Sequence, residues 1–194
     1  MKSMACRALL CAGLALAGAA PLGVAPSVAE ASTAIAASLR HLVTVADRVV
    51  EATPVESRSV WEESPGGGGK RIVTYTRLEV HGTVYGQASD DLWVRTLGGV
   101  VDKIGQRVEG EAVLKKGERS VVFLHRLADG TSVVAEMAQG HYPIREIDKT
   151  LRLVASPHAH VVRADAASAR AVLHEKPVGD AIALIAQERK AVQK

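Results

Sequence analysis

The chain has almost no cysteine. Cys6 and Cys11 are its only two, and both lie in a stretch that reads as a removable leader, so a disulfide-stapled scaffold is excluded and stability must come from an ordinary hydrophobic core. Aromatics are equally scarce, at 3% of 194 residues. There is no strongly apolar run of about 20 residues, which a membrane-spanning helix needs. Charge of one sign is missing too. The leader holds Lys2, Arg7 and Glu30 of the 24 basic and 21 acidic residues, leaving a nearly neutral remainder that gives no reason to expect nucleic acid or anionic lipid as a partner.

At the amino end, Lys2 and Arg7 precede an apolar, alanine-rich stretch from Ala8 to Val24, interrupted by Pro21 and followed by Pro26. Ala29-Glu30-Ala31 then offers the small-x-small pattern of a signal-peptidase site. Residues 1–31 are therefore expected to be a cleaved signal peptide, with cleavage after Ala31, or after Ala29 as second choice. A lipoprotein signal would need a small residue before its cysteine, whereas Leu10 precedes Cys11. The expectation is a periplasmic or secreted protein with no transmembrane anchor once the signal is gone.

Residues 32–47 carry Ile35, Leu39, Leu42 and Ala46 at helical spacing, with Ser32 as the expected cap. All six aromatics, from Trp61 to Tyr142, fall in the stretch 48–160, which reads as the body. Short strands are expected at Val49–Trp61, interrupted at Pro54, and at Arg71–Tyr85, Leu92–Leu97, Val121–Leu124, Ser132–Ala138, His141–Arg145 and Thr150–Ala155. Val121–Leu124, apolar at every position, belongs in the middle of a sheet. Strands this short, about ten residues apart and separated by glycine-rich turns, predict a mainly β fold, a small antiparallel barrel or sandwich. Residues 161–194 return to helix, with Asp165 as a candidate cap and Pro177 separating two helices.

Three segments resemble a family of uncharacterised secreted bacterial proteins: RIVTYTRLEV (Arg71–Val80), the run Leu92–Leu124, and AQGHYPI (Ala138–Ile144). Gly98-Gly99, the approach Gly110, Leu114, Gly117, Glu118 (one residue longer here between Gly110 and Leu114) and Val122-Phe123-Leu124 carry the pattern. The resemblance covers about half of the chain after the leader. It implies an exported small β barrel, OB-like or netrin-like. Its motifs are structural, and it brings no catalytic or binding residues.

Candidate chemistry is sparse. His158-Ala159-His160 would place two imidazoles on one side of an extended strand, a possible metal pair with His141, His125 or an acid as third ligand; two exposed surface histidines are the plainer reading. Neither a Gly-x-Ser-x-Gly elbow nor an HExxH motif occurs, and Ser120 and Ser132 have no base nearby in sequence. Glu109 with Glu111, and Asp90 with Asp91, read as solvated acids. Gly66–Gly69 lacks the Lys-Ser/Thr sequel of a phosphate loop and reads as a hairpin tip. The stretch Gly98–Gly117 is long for a loop, and such loops are often functional. Trp93, Arg95, Lys103, Gln106 and Arg107, with Glu109, are the candidate binding residues, and Trp61, Trp93 and Tyr142 the candidate aromatic anchors if exposed. The expected function is a non-enzymatic binding or accessory module of the bacterial envelope, meeting an envelope protein or a glycan, with no cofactor. The alternative is a metal-binding protein or metal-dependent hydrolase using His158 and His160.

Overall fold

A computed structural model describes residues 34–87, 91–159, 161–163 and 166–194. After a two-residue strand β1 (Ala34–Ile35), helix α1 (Leu39–Val45) starts at Ser38, whose hydroxyl accepts the His41 N–H at 3.1 Å. The cap is therefore Ser38 and not Ser32, and the helix is shorter than its apolar spacing suggests. Ile35, part of the expected stripe, sits on β1 and is exposed.

Strands β2 (Arg48–Glu63) and β3 (Lys70–Tyr85) form one long hairpin across the glycine tip, and β4 (Leu92–Leu97) pairs antiparallel with β3. Pro54 falls where the β2–β3 register shifts, as a residue without an N–H must. A small hairpin follows, β5 (Gly99–Val101) and β6 (Ile104–Gln106), so the expected irregular loop begins with structure of its own. Then come β7 (Ser120–Arg126), β8 (Ser132–Val134), a 3₁₀ turn at Met137–Gly140, β9 (His141–Ile147) and β10 (Thr150–Leu153). The strand expected over Ser132–Ala138 is cut to three residues, with Glu136 and Met137 in the left-handed region. Strand β11 (Val161–Arg163), helix α2 (Ala169–Leu173) and helix α3 (Val178–Val192) complete the chain. Helix α2 is capped by Ser168 through the Ala171 N–H at 3.2 Å; Asp165, the expected cap, lies outside the described residues.

The fold is mainly β, with a short N-terminal helix and C-terminal helices. Seven strands form a mixed sheet in the order β10-β9-β7-β2-β3-β4-β8, and β8 pairs back onto β7. Strands β7, β2, β3, β4 and β8 thus close a partial ring. It is neither wholly antiparallel nor a full barrel: β8 runs parallel to β4, and Val94↔Ser132 and Arg95↔Val133 are the only residue pairs between them.

Two apolar cores result. Inside the ring lie Val50, Leu78, Leu92, Val94, Val122 and Leu124. On the outer side of β2, β7 and β9, Val49, Val121, Phe123 and Tyr142 pack with Leu42, Val43, Leu173 and Ile185 of the three helices. Successive residues of β7 point alternately into one core and the other, which accounts for its unbroken apolar run. Both flanks of the chain are thereby part of one packed unit with the sheet.

Candidate functional site

Antiparallel register sets Arg58, Tyr75 and Arg95 side by side across β2, β3 and β4, with Arg77 and Trp93 in the next row. Leu78, Thr76 and Val94 alternate to the other face and are buried, so the Tyr75–Trp93 face looks outward. The Arg58 guanidinium lies 5.9 Å from the Tyr75 ring centroid and 5.0 Å from that of Trp93, within cation–π range of both. Glu62 binds two of the neighbours: Tyr75 Oη donates to its Oε1 at 2.5 Å and Arg95 Nη1 to its Oε2 at 3.3 Å. The Glu62 hydrogen bond is the main reason the Tyr75 hydroxyl is harder to ionise than usual, with burial second. Trp93 Nε1 donates to Asp91 Oδ1 at 2.9 Å. Each ring is thus held by a polar partner, with the Arg58 guanidinium over both.

Beside Trp93 runs an open groove of about 410 Å³, lined by Tyr75, Asp91 and Trp93, by Arg126 and the Asp129–Ser132 turn, and by Arg48. The turn is a tight one. Thr131 N donates to Asp129 Oδ1 at 2.8 Å, and Gly130 takes φ +85°; that N–H holds the Asp129 carboxyl below its usual range. Arg48 is buried, and both its burial and the like charge of Arg126 make its guanidinium easier to deprotonate than usual. Arg48 and Arg126 share the lining with Asp91 and Asp129, so the groove carries both signs of charge.

The binding residues expected from sequence divide between the two faces of the sheet. Trp93 and Arg95 stand on the groove face. The β5–β6 hairpin lies against the opposite one, because Gly99 abuts Ser59 and Thr74, the latter adjacent to Tyr75 and so on the other side. Gln106 has a structural duty there, its Oε1 accepting the Ile72 N–H at 2.6 Å. Lys103 is exposed at the hairpin turn, and Arg107 is exposed with Glu109 at 4.0 Å. Of the aromatic anchors, Trp61 is 42% exposed but belongs to the hairpin face. Tyr142 is buried, edge-on to Phe123 with centroids 6.0 Å apart, and is a core residue, not an anchor. Arg58, Glu62 and Tyr75 were missed; reading period two along both arms of the long hairpin would have put them on one face.

His158 follows Pro157 at a turn and lines a second, smaller cavity of about 200 Å³ together with His141. His160 lies outside the described residues. Among the described residues no group of three or more His, Cys, Asp or Glu converges as a metal site would, and His125 is engaged with Asp47 at 3.0 Å. What fold and site define together is a β-rich domain with a partly ringed sheet and an aromatic, arginine-bridged groove on its outer face. No protein-family model matches the chain, and no curated protein matches it either.

Proposed function

We propose that the protein is an exported, non-enzymatic binding module of the bacterial envelope, and that it recognises a glycan along the Trp93 groove. The observation that carries this reading is the Arg58–Tyr75–Trp93 stack, held in place by Glu62 and Asp91 at the edge of an open groove. Aromatic faces suit the apolar faces of sugar rings, and Arg and Asp side chains together suit hydroxyl groups. A small concave volume with a few fixed polar groups fits a short saccharide better than a broad protein surface, which would bury about 800 Å² per partner. Small ringed β domains of the OB kind bind oligosaccharides through their strand faces and loops, and the resemblance in Arg71–Val80 and Leu92–Leu124 supports that comparison. The nearly neutral charge speaks against nucleic acid.

The test is binding of the purified protein to an array of bacterial envelope glycans, repeated with Trp93→Ala. A glycan retained by the native protein and weakened at least about tenfold in the variant, some 1.4 kcal/mol, is the expected result. Retention unaffected by the substitution would remove the groove from consideration. Capture of one envelope protein in place of any glycan, again lost with Trp93→Ala, would keep the groove and change its partner. The competing metal reading needs His158 and His160 to hold a cation beside Lys115 and Arg145, which share the His158 cavity and oppose a positive ion.

A further inference from the structure

We infer that the cavity bounded by residues 113–118, the start of β9 and residues 154–158 is a binding site for a carboxylate that bears a short apolar group. It shares no lining residue with the Trp93 groove, so it stands or falls independently of the glycan reading.

The cavity measures about 200 Å³, the share of roughly six or seven waters at about 30 Å³ each. That is room for a carboxylate with a few carbon atoms. Val113, Pro143, Val154 and Pro157 supply apolar wall. Lys115, Arg145 and His158 bring positive or potentially positive groups, and the single carboxylate of the lining, Glu118, is engaged by Arg145. Because Arg145 is paired with Glu118, Lys115 is the remaining charge with no carboxylate in the lining to match it, and the cavity favours an anion.

His141 is the second, separate observation. It lines the same cavity and is 2% exposed, and its Nδ1 is buried with no hydrogen-bond partner among the described residues. Buried polar side-chain atoms nearly always have a partner, and each exception calls for one. Burial, then the positive charge of His158, Arg145 and Lys115, keep this ring neutral down to about pH 4. A neutral imidazole with its proton on Nδ1 donates one hydrogen bond, which a carboxylate oxygen accepts. Lys115 balances the charge, and the apolar walls take the tail. A metal cation would meet the same Lys115 and Arg145 as repulsion.

Two sources share this chemistry: a free short-chain acid and the C-terminal carboxylate of a peptide. The experiment follows the imidazole nitrogens of the purified protein by NMR during titration with isobutyrate, N-acetylalanine, the neutral amide isobutyramide, and sodium chloride at matched ionic strength. Saturable shifts at His141 with the two carboxylates, and none with the amide or chloride, are expected. Tighter binding of N-acetylalanine than of isobutyrate assigns the site to peptide termini, and the reverse order to free acids. Lys115 is exposed, so Lys115→Gln leaves the melting temperature unchanged and weakens binding at least about tenfold. Equal binding of isobutyramide, an identical response to chloride, or a Lys115→Gln variant of native affinity would each overturn the inference. So would stoichiometric Zn²⁺ binding that shifts His141 and His158 together.

Discussion

His141 carries its buried imidazole at a cost that depends on pH. Its pKa falls from 6.5 in the open chain to about 4 in the fold. As pH drops, the unfolded chain takes up the proton first, so stability is fully present above pH 6.5 and is lost progressively down to about pH 4. A gap of that size corresponds to about 3 kcal/mol. Urea unfolding followed from pH 7 to about pH 4 should show this loss, and His141→Asn should flatten the slope. A native slope no steeper than that of the variant would mean that His141 is not held neutral. At this scale the sequence was only partly readable. The strand that carries Trp93 and Arg95 was recognisable, and in the fold both residues turn outward between buried Leu92, Val94 and Thr96. Lys103 and Arg107 looked equivalent to them, because nothing local shows that a hairpin folds onto the opposite face.

Among the elements, the β5–β6 hairpin is the clearest case of backbone shape deciding position. Gly99 has φ +135° and lies so close to Ser59 and Thr74 that a methyl group there would strike both hydroxyls, which are hydrogen-bonded to each other at 2.9 Å. Gly99→Ala should cost about 2 kcal/mol, lowering the melting temperature by about 4–8 °C. Amide exchange should accelerate at Ile104–Gln106, with the core strand β7 keeping its relative protection. Uniform loss of protection would indicate instead that the hairpin is integral to the ring. Strand identity was legible wherever periodicity or an apolar run was long, as at Leu92–Leu97 and Val121–Leu124. It failed at Ser132–Ala138, since left-handed Glu136 and Met137 end β8 early without a glycine or proline to announce it.

At the scale of the whole molecule, the helical flanks are as much core as the sheet. Ile185 is buried against α1, Arg189 Nη1 donates to the Val43 carbonyl at 2.6 Å, and its guanidinium sits 4.7 Å above the Tyr85 ring. That contact offsets only part of the burial that pushes the Tyr85 hydroxyl up to about 12. Burying one large aliphatic side chain is worth about 1.5–3 kcal/mol, and α3 contributes Ile185 with Val178, Leu184 and Val192 at its margin. Ending the chain at Pro177 should therefore remove about 5 kcal/mol, comparable with the whole stability of a small domain. Loss of the cooperative thermal transition would bear this out, whereas a sharp melt in the shortened chain would make α3 an appendage. Composition spoke for a body and two flanks, because apolar spacing in alanine-rich helices does not say what they pack against.

The parallel pairing of β1 with β11 joins Ala34 to Val161. A chain delivered amino end first from a ribosome presents Ala34 long before its partner exists. The finished architecture is therefore out of reach until almost all of the polypeptide has emerged, and until then β1 stays an unclosed end.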